Sequence, residues 1–384
     1  MTLPPPPGPY GSQPSGRGDP QWGGPPPQGP GTPPPHRQPE PWPPQQWGAQ
    51  PPPSNGGKAK WILGGLAITL AIALAVVITV LVVRPAGGSG NDQQPNTAKG
   101  GSEFASANDT GPANIITEDP TCEAWGKISD GLVAAAPGWN DQDYSMPATD
   151  WTPEQRTLFE KKGASLTDAI SSLNNITKQT PHRVMRELYE QYIAYSRAVI
   201  NAIPTYSSED NYIVAASNQL AGALNRICDS VYFRAAQQTA PLIAAPAAPS
   251  EVQSIADDTK SEPELFLIVH NDTCNQWVSL AEKFDKDSEP WRQISAKIPA
   301  TEWTPDQKSV MDVVAPVMTD YSDEMEKLGR QSQNLLWEDF ATLAAQYMRA
   351  YVRGIPTYTA NIGYLASSST LISNSIYWAC KAAA

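Results

Sequence analysis

A set of aromatic and cationic side chains recurs along the chain at one constant spacing. Trp125, Trp151, Tyr195, Tyr206 and Tyr212 return 152 positions later as Trp277, Trp303, Tyr347, Tyr358 and Tyr364, and Arg197 returns as Arg349. Aromatic faces bind sugar rings, acyl chains and cations, and a guanidinium binds anionic groups. One chemistry for this set is therefore a lined groove for a glycan or lipid headgroup, or a surface for a protein partner. The plainer use is closure of the ends of a small helical bundle, with rings buried and polar tips near water.

The cysteines obey the same spacing. Cys122 and Cys228 match Cys274 and Cys380. Four cysteines allow three pairings, and duplication favours Cys122–Cys228 with Cys274–Cys380, so that each copy is closed on itself. Such bonds imply oxidising surroundings. The cysteines stand singly, with no CxxC pair, so neither a structural metal site nor a redox-catalytic pair is expected.

Residues for catalysis are sparse. The three histidines are His36, His182 and His270, and no two have ligand or triad spacing. The acidic positions shared most clearly between the copies are Glu154 with Asp306 and Glu187 with Asp339. The first pair fits a helix N-terminus, where a carboxylate complements the dipole. The second could be a catalytic acid pair, but a solvated helix face is the preferred reading. No glycine loop joins a strand to a helix. Three tripeptides, beginning at Asn108, Asn175 and Asn271, match the glycosylation acceptor pattern. No enzyme activity, metal or cofactor is expected.

The elements that must position these residues are helices. Trp151-Thr152-Pro153-Glu154-Gln155 and Trp303-Thr304-Pro305-Asp306-Gln307 each read as a helix start. The threonine caps, proline takes the first position and glutamine closes a capping box. The spacing predicts helices over about 122–135, 152–178, 181–203 and 208–235, with counterparts 152 residues on. Ile203-Pro204 and Ile355-Pro356 end the third helix of each copy, because proline breaks the ladder. Tyr192 corresponds to Ala344 in the second copy, a change of size that predicts differently packed cores.

Composition divides the rest. Of 39 prolines, 21 lie in residues 1–60, a stretch expected to be a disordered cytoplasmic tail that docks polyproline-binding partners or acts as a spacer. Trp61 to Val83 is an uncharged run that reads as a single transmembrane helix, with Lys58 and Lys60 placing the N-terminus in the cytoplasm. Residues 84–118 read as a flexible stalk, 119–235 as the first repeat domain, 236–270 as a connector and 271–384 as the second. Within the connector, the apolar patch Leu265 to Val269 is expected to pack the domains together. Residues 1–100 carry a balance of +3, so residues 101–384 carry −15 of a chain whose net charge is −12. An acidic region of this kind excludes nucleic acid as a partner. The expected architecture is all-α: one transmembrane helix and two tandem, disulfide-closed, antiparallel helical bundles.

The proline run at Pro4 to Pro7, the apolar stretch from Trp61 to Val83 and an alanine-rich helical region with paired cysteines resemble proline-rich, single-pass envelope proteins of actinobacteria, mycobacteria in particular. That resemblance implies a plasma-membrane location facing the envelope. The functional expectation is a non-enzymatic, membrane-anchored scaffold or accessory component of an envelope assembly, with protein or wall-polymer partners. The alternative is an extracytoplasmic carrier or receptor for a lipid or glycan.

Overall fold

The computed structural model describes residues 103–252 and 262–384 of the chain. The first repeat contributes α1 (Cys122–Ala135), α2 (Pro153–Gln179), α3 (Arg183–Ala202) and α4 (Asn211–Tyr232), followed by the short α5 (Ala235–Thr239). The second contributes α6 (Cys274–Asp287), the short α7 (Glu289–Arg292), α8 (Pro305–Gln331), α9 (Leu335–Gly354) and α10 (Gly363–Ala382). The four principal helices of the second copy begin 152 residues after those of the first.

Local chemistry sets the boundaries. Gln155 N donates to Thr152 Oγ1 at 3.2 Å while Thr152 N donates to Gln155 Oε1 at 3.0 Å, a complete capping box. Thr304 and Gln307 repeat it at 3.2 and 2.9 Å. At the other end of α3, Ile203–Thr205 tightens into a 3₁₀ turn at the proline, and Ile355–Thr357 does the same after α9. The disulfides join Cys122 to Cys228 and Cys274 to Cys380, each with Cα atoms 5.3 Å apart. Each bond ties the start of the first principal helix of a repeat to the late turns of its fourth.

The two cores are filled differently from one plan. In the first repeat Trp125 packs edge-on against Tyr192 and tilted against Tyr189, with ring centroids 5.4 and 5.9 Å away. Their counterparts are Ala344 and Ala341. The volume lost there is regained by Trp337, which meets Trp277 at 5.7 Å and stands where the first repeat has Met185. The small Ala341 also lets α8 approach α9 closely. A Cβ added to Gly329 would lie 2.6 Å from that of Ala341.

The repeats share one interface, and the described residues 103–252 and 262–384 fall within one compact unit. Helix α4 on α10 is the most extensive helix pair. Gly222 of α4 marks the close approach, since a Cβ there would lie 3.1 Å from the Leu371 side chain of α10. Tyr212 of α4 stacks on Trp378 of α10 at 5.9 Å, and Arg226 of α4 lies 5.6 Å from the ring centroid of Tyr364 of α10. Position 364 corresponds to 212 and 378 to 226, so the two contacts are related by a pseudo-twofold exchange. The segments ahead of the first helices cross between repeats. Phe266 is buried between Tyr195 of α3 and Phe340 of α9, at 6.2 and 5.7 Å. Its N–H donates to Gln191 Oε1 at 2.9 Å. Leu267 is buried too, whereas Ile268 and Val269 are exposed.

The expected membrane span requires correction. Among the described residues no helix is long and apolar enough to cross a membrane. The longest helices, α2 and α8, have 27 residues each, but only one side of each is apolar and charged residues occupy the other. Residues 61–83, where the span is expected, lie outside the described residues, as do residues 1–60 with their proline-rich tail. The architecture of the described residues is all-α without a transmembrane helix. The single-pass plasma-membrane location, and the membrane-embedded character drawn from residues 61–83, find no support among the described residues.

Candidate functional site

The recurring aromatic residues do not converge on one cleft. Trp125 and Trp277 lie inside their bundles; Trp125 Nε1 donates to Asn225 Oδ1 at 2.8 Å and Trp277 Nε1 to the Ser373 carbonyl at 3.1 Å. Trp151 and Trp303 close the bundle ends, and each indole donates to a backbone carbonyl five residues earlier, Met146 or Ile298, at 2.9 Å. Tyr206 and Tyr358 complete the same closure. Their hydroxyls donate to the carbonyls of Tyr144 and Ala296 at 2.8 Å, while their own carbonyls accept from Ala148 N and Ala300 N. Sixty-two residues of chain are thereby tied back at the same point in each repeat.

Tyr195 and Tyr347 are buried on α3 and α9. Burial pushes both phenols far above their ordinary range, so they stay neutral. The Tyr195 hydroxyl has no hydrogen-bond partner among the described residues, and the Tyr347 hydroxyl lies beside Ser230 and the backbone of Ile116. Tyr364 is buried against Phe233 with centroids 5.1 Å apart, while Tyr212 remains half-buried at the α4–α10 seam. The arginines diverge. Arg197 Nη2 meets Glu262 Oε1 at 3.0 Å, whereas Arg349 is held by Glu326 and Asp323, both at 2.7 Å. Burial pulls the Arg349 guanidinium down, but those two carboxylates outweigh it and raise it above the usual value. An arginine saturated by two acids presents no open face to an anionic headgroup.

A second cluster is only half visible in the sequence. Glu187 of α3 and Asp339 of α9, the repeated acid pair, are buried and brought together by Arg183. Arg183 Nη2 donates to Asp339 Oδ1 at 3.0 Å and to the Gly111 carbonyl at 2.9 Å. Its Nη1 contacts Asp339 as well and reaches Glu187 Oε1 at 3.4 Å. Arg186 grips Glu190 through both carboxylate oxygens at 2.9 Å and stands 3.4 Å from Glu187. Desolvation raises the Glu187 carboxyl to about 7, against the pull of Arg183 and Arg186. Arg183 has Leu335 as its counterpart, so the repeat comparison that exposes the acids hides the base between them.

The remaining sequence candidates have structural partners. Asp119 accepts from Thr121 N and Oγ1 and from Thr180 Oγ1, and its counterpart Asn271 accepts from Thr273 N while donating to the Ser332 carbonyl. The acceptor tripeptide at Asn271 thus has its side-chain amide engaged at the start of α6. Asn175 is exposed, but Thr177 is buried and donates to the Leu173 carbonyl. Asp109 Oδ2 accepts from Arg183 N at 2.7 Å and caps α3 from 74 residues away. His182 bonds the Glu118 carbonyl at 2.7 Å. Glu154 and Asp306 lie in the first turns of α2 and α8. A shallow, open concavity beside the start of α2 is lined by Pro137, Pro153, Glu154, Thr157, Leu158 and Lys161, and contains none of the recurring aromatic residues.

An uncharacterised protein of Mycolicibacterium smegmatis (strain MKD8) is 36% identical over 376 residues, an alignment covering 93% of this chain and 96% of that protein. No solved structure matches. Residues 104–384, which hold both repeats, match the family described as mycobacterial ESX-1 associated protein, and the chain belongs to that family.

Proposed function

We propose that the protein is a non-enzymatic accessory or scaffold component of the ESX-1 secretion assembly and that it binds protein partners through the outer surface of its paired bundles. The observation that carries this reading is the fate of the recurring aromatic residues. Nine of the ten are buried, and the four tryptophans with Tyr206 and Tyr358 spend their polar tips on internal hydrogen bonds. A duplicated residue set consumed by the interior serves to hold a shape, and a held shape is what a scaffold presents. The family's description as ESX-1 associated supports that choice of assembly. The tight helix contacts at Gly163, Gly329 and Gly354, where an added Cβ would come within 2.8 Å of a neighbour, belong to filled cores, whereas a lipid carrier needs an enclosed apolar space.

The test is crosslinking in intact mycobacterial cells, purification of the full chain, and mass spectrometry of both proteins and lipids. The expected result is a small set of stoichiometric proteins that includes ESX-1 components and is lost from cells lacking that system. Recovery of one stoichiometric lipid or glycan without protein would replace this reading with the carrier.

A further inference from the structure

We propose that Arg183 is the hub of a proton-sensitive clasp joining the two repeats and the strap ahead of α1, closed when Glu187 is protonated and loosened when Glu187 ionises. The inference stands on the geometry of the cluster and does not depend on the functional reading above.

Three segments of chain meet at this arginine. From the strap, Asp109 caps its backbone N–H at 2.7 Å and the Gly111 carbonyl accepts from Nη2 at 2.9 Å. From its own helix come Glu187 and, further along α3, Arg186 and Glu190. From the other repeat comes Asp339, bound through both of its oxygens. The charged groups facing Glu187 from all packed elements are therefore Arg183, Arg186, Glu190, Asp109 and Asp339.

Two guanidinium groups serve four carboxylates, and the geometry shows which acid is served worst. Asp339 holds Arg183 in a two-oxygen contact, Glu190 holds Arg186 in another, and Asp109 has a backbone N–H. Glu187 is left with two contacts of 3.4 Å to one oxygen. Its second oxygen, Oε2, is buried without a hydrogen-bond partner among the described residues. A carboxylate with no solvent and no good donor favours the neutral form. Burial moves this carboxyl from 4.5 to about 7. The folded clasp thus binds the proton more tightly than an open one. The stabilisation is complete below about pH 4.5 and is lost as pH rises through about 7. Above that point an ionised Glu187 competes with Asp339 for Nη1 and repels it. Both the seam to α9 and the Gly111 contact of the strap depend on the same guanidinium.

The test is hydrogen exchange with mass spectrometry on the full oxidised protein at pH 6 and pH 8, with rates corrected for intrinsic exchange. Strap residues 104–112 and the first turns of α9 are expected to lose protection by up to about tenfold between the two conditions, the ratio that linkage gives for one such carboxyl. Helix α2 is expected to keep its protection. Glu187→Gln, which imitates the protonated acid, is expected to be protected equally at both pH values. Asp339→Asn frees Arg183 for Glu187, so the pH midpoint is expected to move down. An unchanged strap and α9 in the wild-type protein, or a pH response that survives Glu187→Gln, overturns the clasp. If Glu187→Gln does not fold, a midpoint that fails to move in Asp339→Asn overturns it equally.

Discussion

Arg183 on the first turn of α3 donates through Nη2 to Asp339 Oδ1 on α9, 156 residues away and in the other repeat, at 3.0 Å. Both side chains are almost wholly buried, 3% and 5% exposed. A buried pair need not stabilise relative to apolar residues of the same volume, but removing one partner leaves the other charge unsatisfied. Asp339→Ala is expected to cost about 3–5 kcal/mol in urea unfolding. Arg183→Met combined with Asp339→Leu is expected to cost less than the sum of the single changes, with a coupling of about 1–3 kcal/mol. Strict additivity of the two would show that the contact carries no energy.

The tyrosine closures offer a comparison internal to the molecule. Tyr206→Phe and Tyr358→Phe each remove one buried hydrogen bond of 2.8 Å to a carbonyl 62 residues earlier. Each is expected to lower stability by about 1 kcal/mol, with an unchanged denaturant slope. Losses differing by more than about 1 kcal/mol would mean that the two closures are not equivalent.

Glycines separate packing from propensity. A Cβ at Gly329 would lie 2.6 Å from Ala341 Cβ and 3.2 Å from the backbone of Glu338. Gly329→Ala is therefore expected to destabilise by about 1–3 kcal/mol through overpacking. Gly131 is exposed within α1, and an added Cβ there meets nothing within 4 Å. Gly131→Ala is expected to stabilise by about 0.5–1 kcal/mol, because alanine loses less backbone freedom on folding. Thermal unfolding of both variants gives the signs.

Each disulfide closes a long loop, with partners 106 positions apart. Removing either by paired Cys→Ser substitution is expected to cost roughly 4–5 kcal/mol from the freed unfolded chain. Peptide mapping without reduction is expected to recover Cys122 with Cys228 and Cys274 with Cys380. A bond between the repeats would contradict the pairing.

The helices are legible in the sequence because their signals are local. Thr152, Pro153 and Gln155 specify a start within four residues, and Pro204 specifies a stop. The repeat then lets every boundary be read twice, and it pairs the cysteines. What joins the copies is legible only in the patch Leu265 to Val269, of which Phe266 and Leu267 are buried, and how each core is filled is not legible. Trp337 fills the space that Ala341 and Ala344 vacate, a compensation between positions on different turns that periodicity does not reveal. Trp139 and Trp291 also stand 152 residues apart and are both buried, yet little around them matches, so the repeat does not single them out. Arg183 is hidden for the opposite reason. It breaks the repeat, with Leu335 at the matching position.

Equilibrium unfolding of the oxidised full chain tests the shared interface most directly, followed at once by far-ultraviolet circular dichroism and tryptophan fluorescence. If α4 on α10 and Arg183 with Asp339 bind the repeats into a single body, both probes are expected to trace one coincident transition. Two separate transitions, one for each repeat, would contradict it.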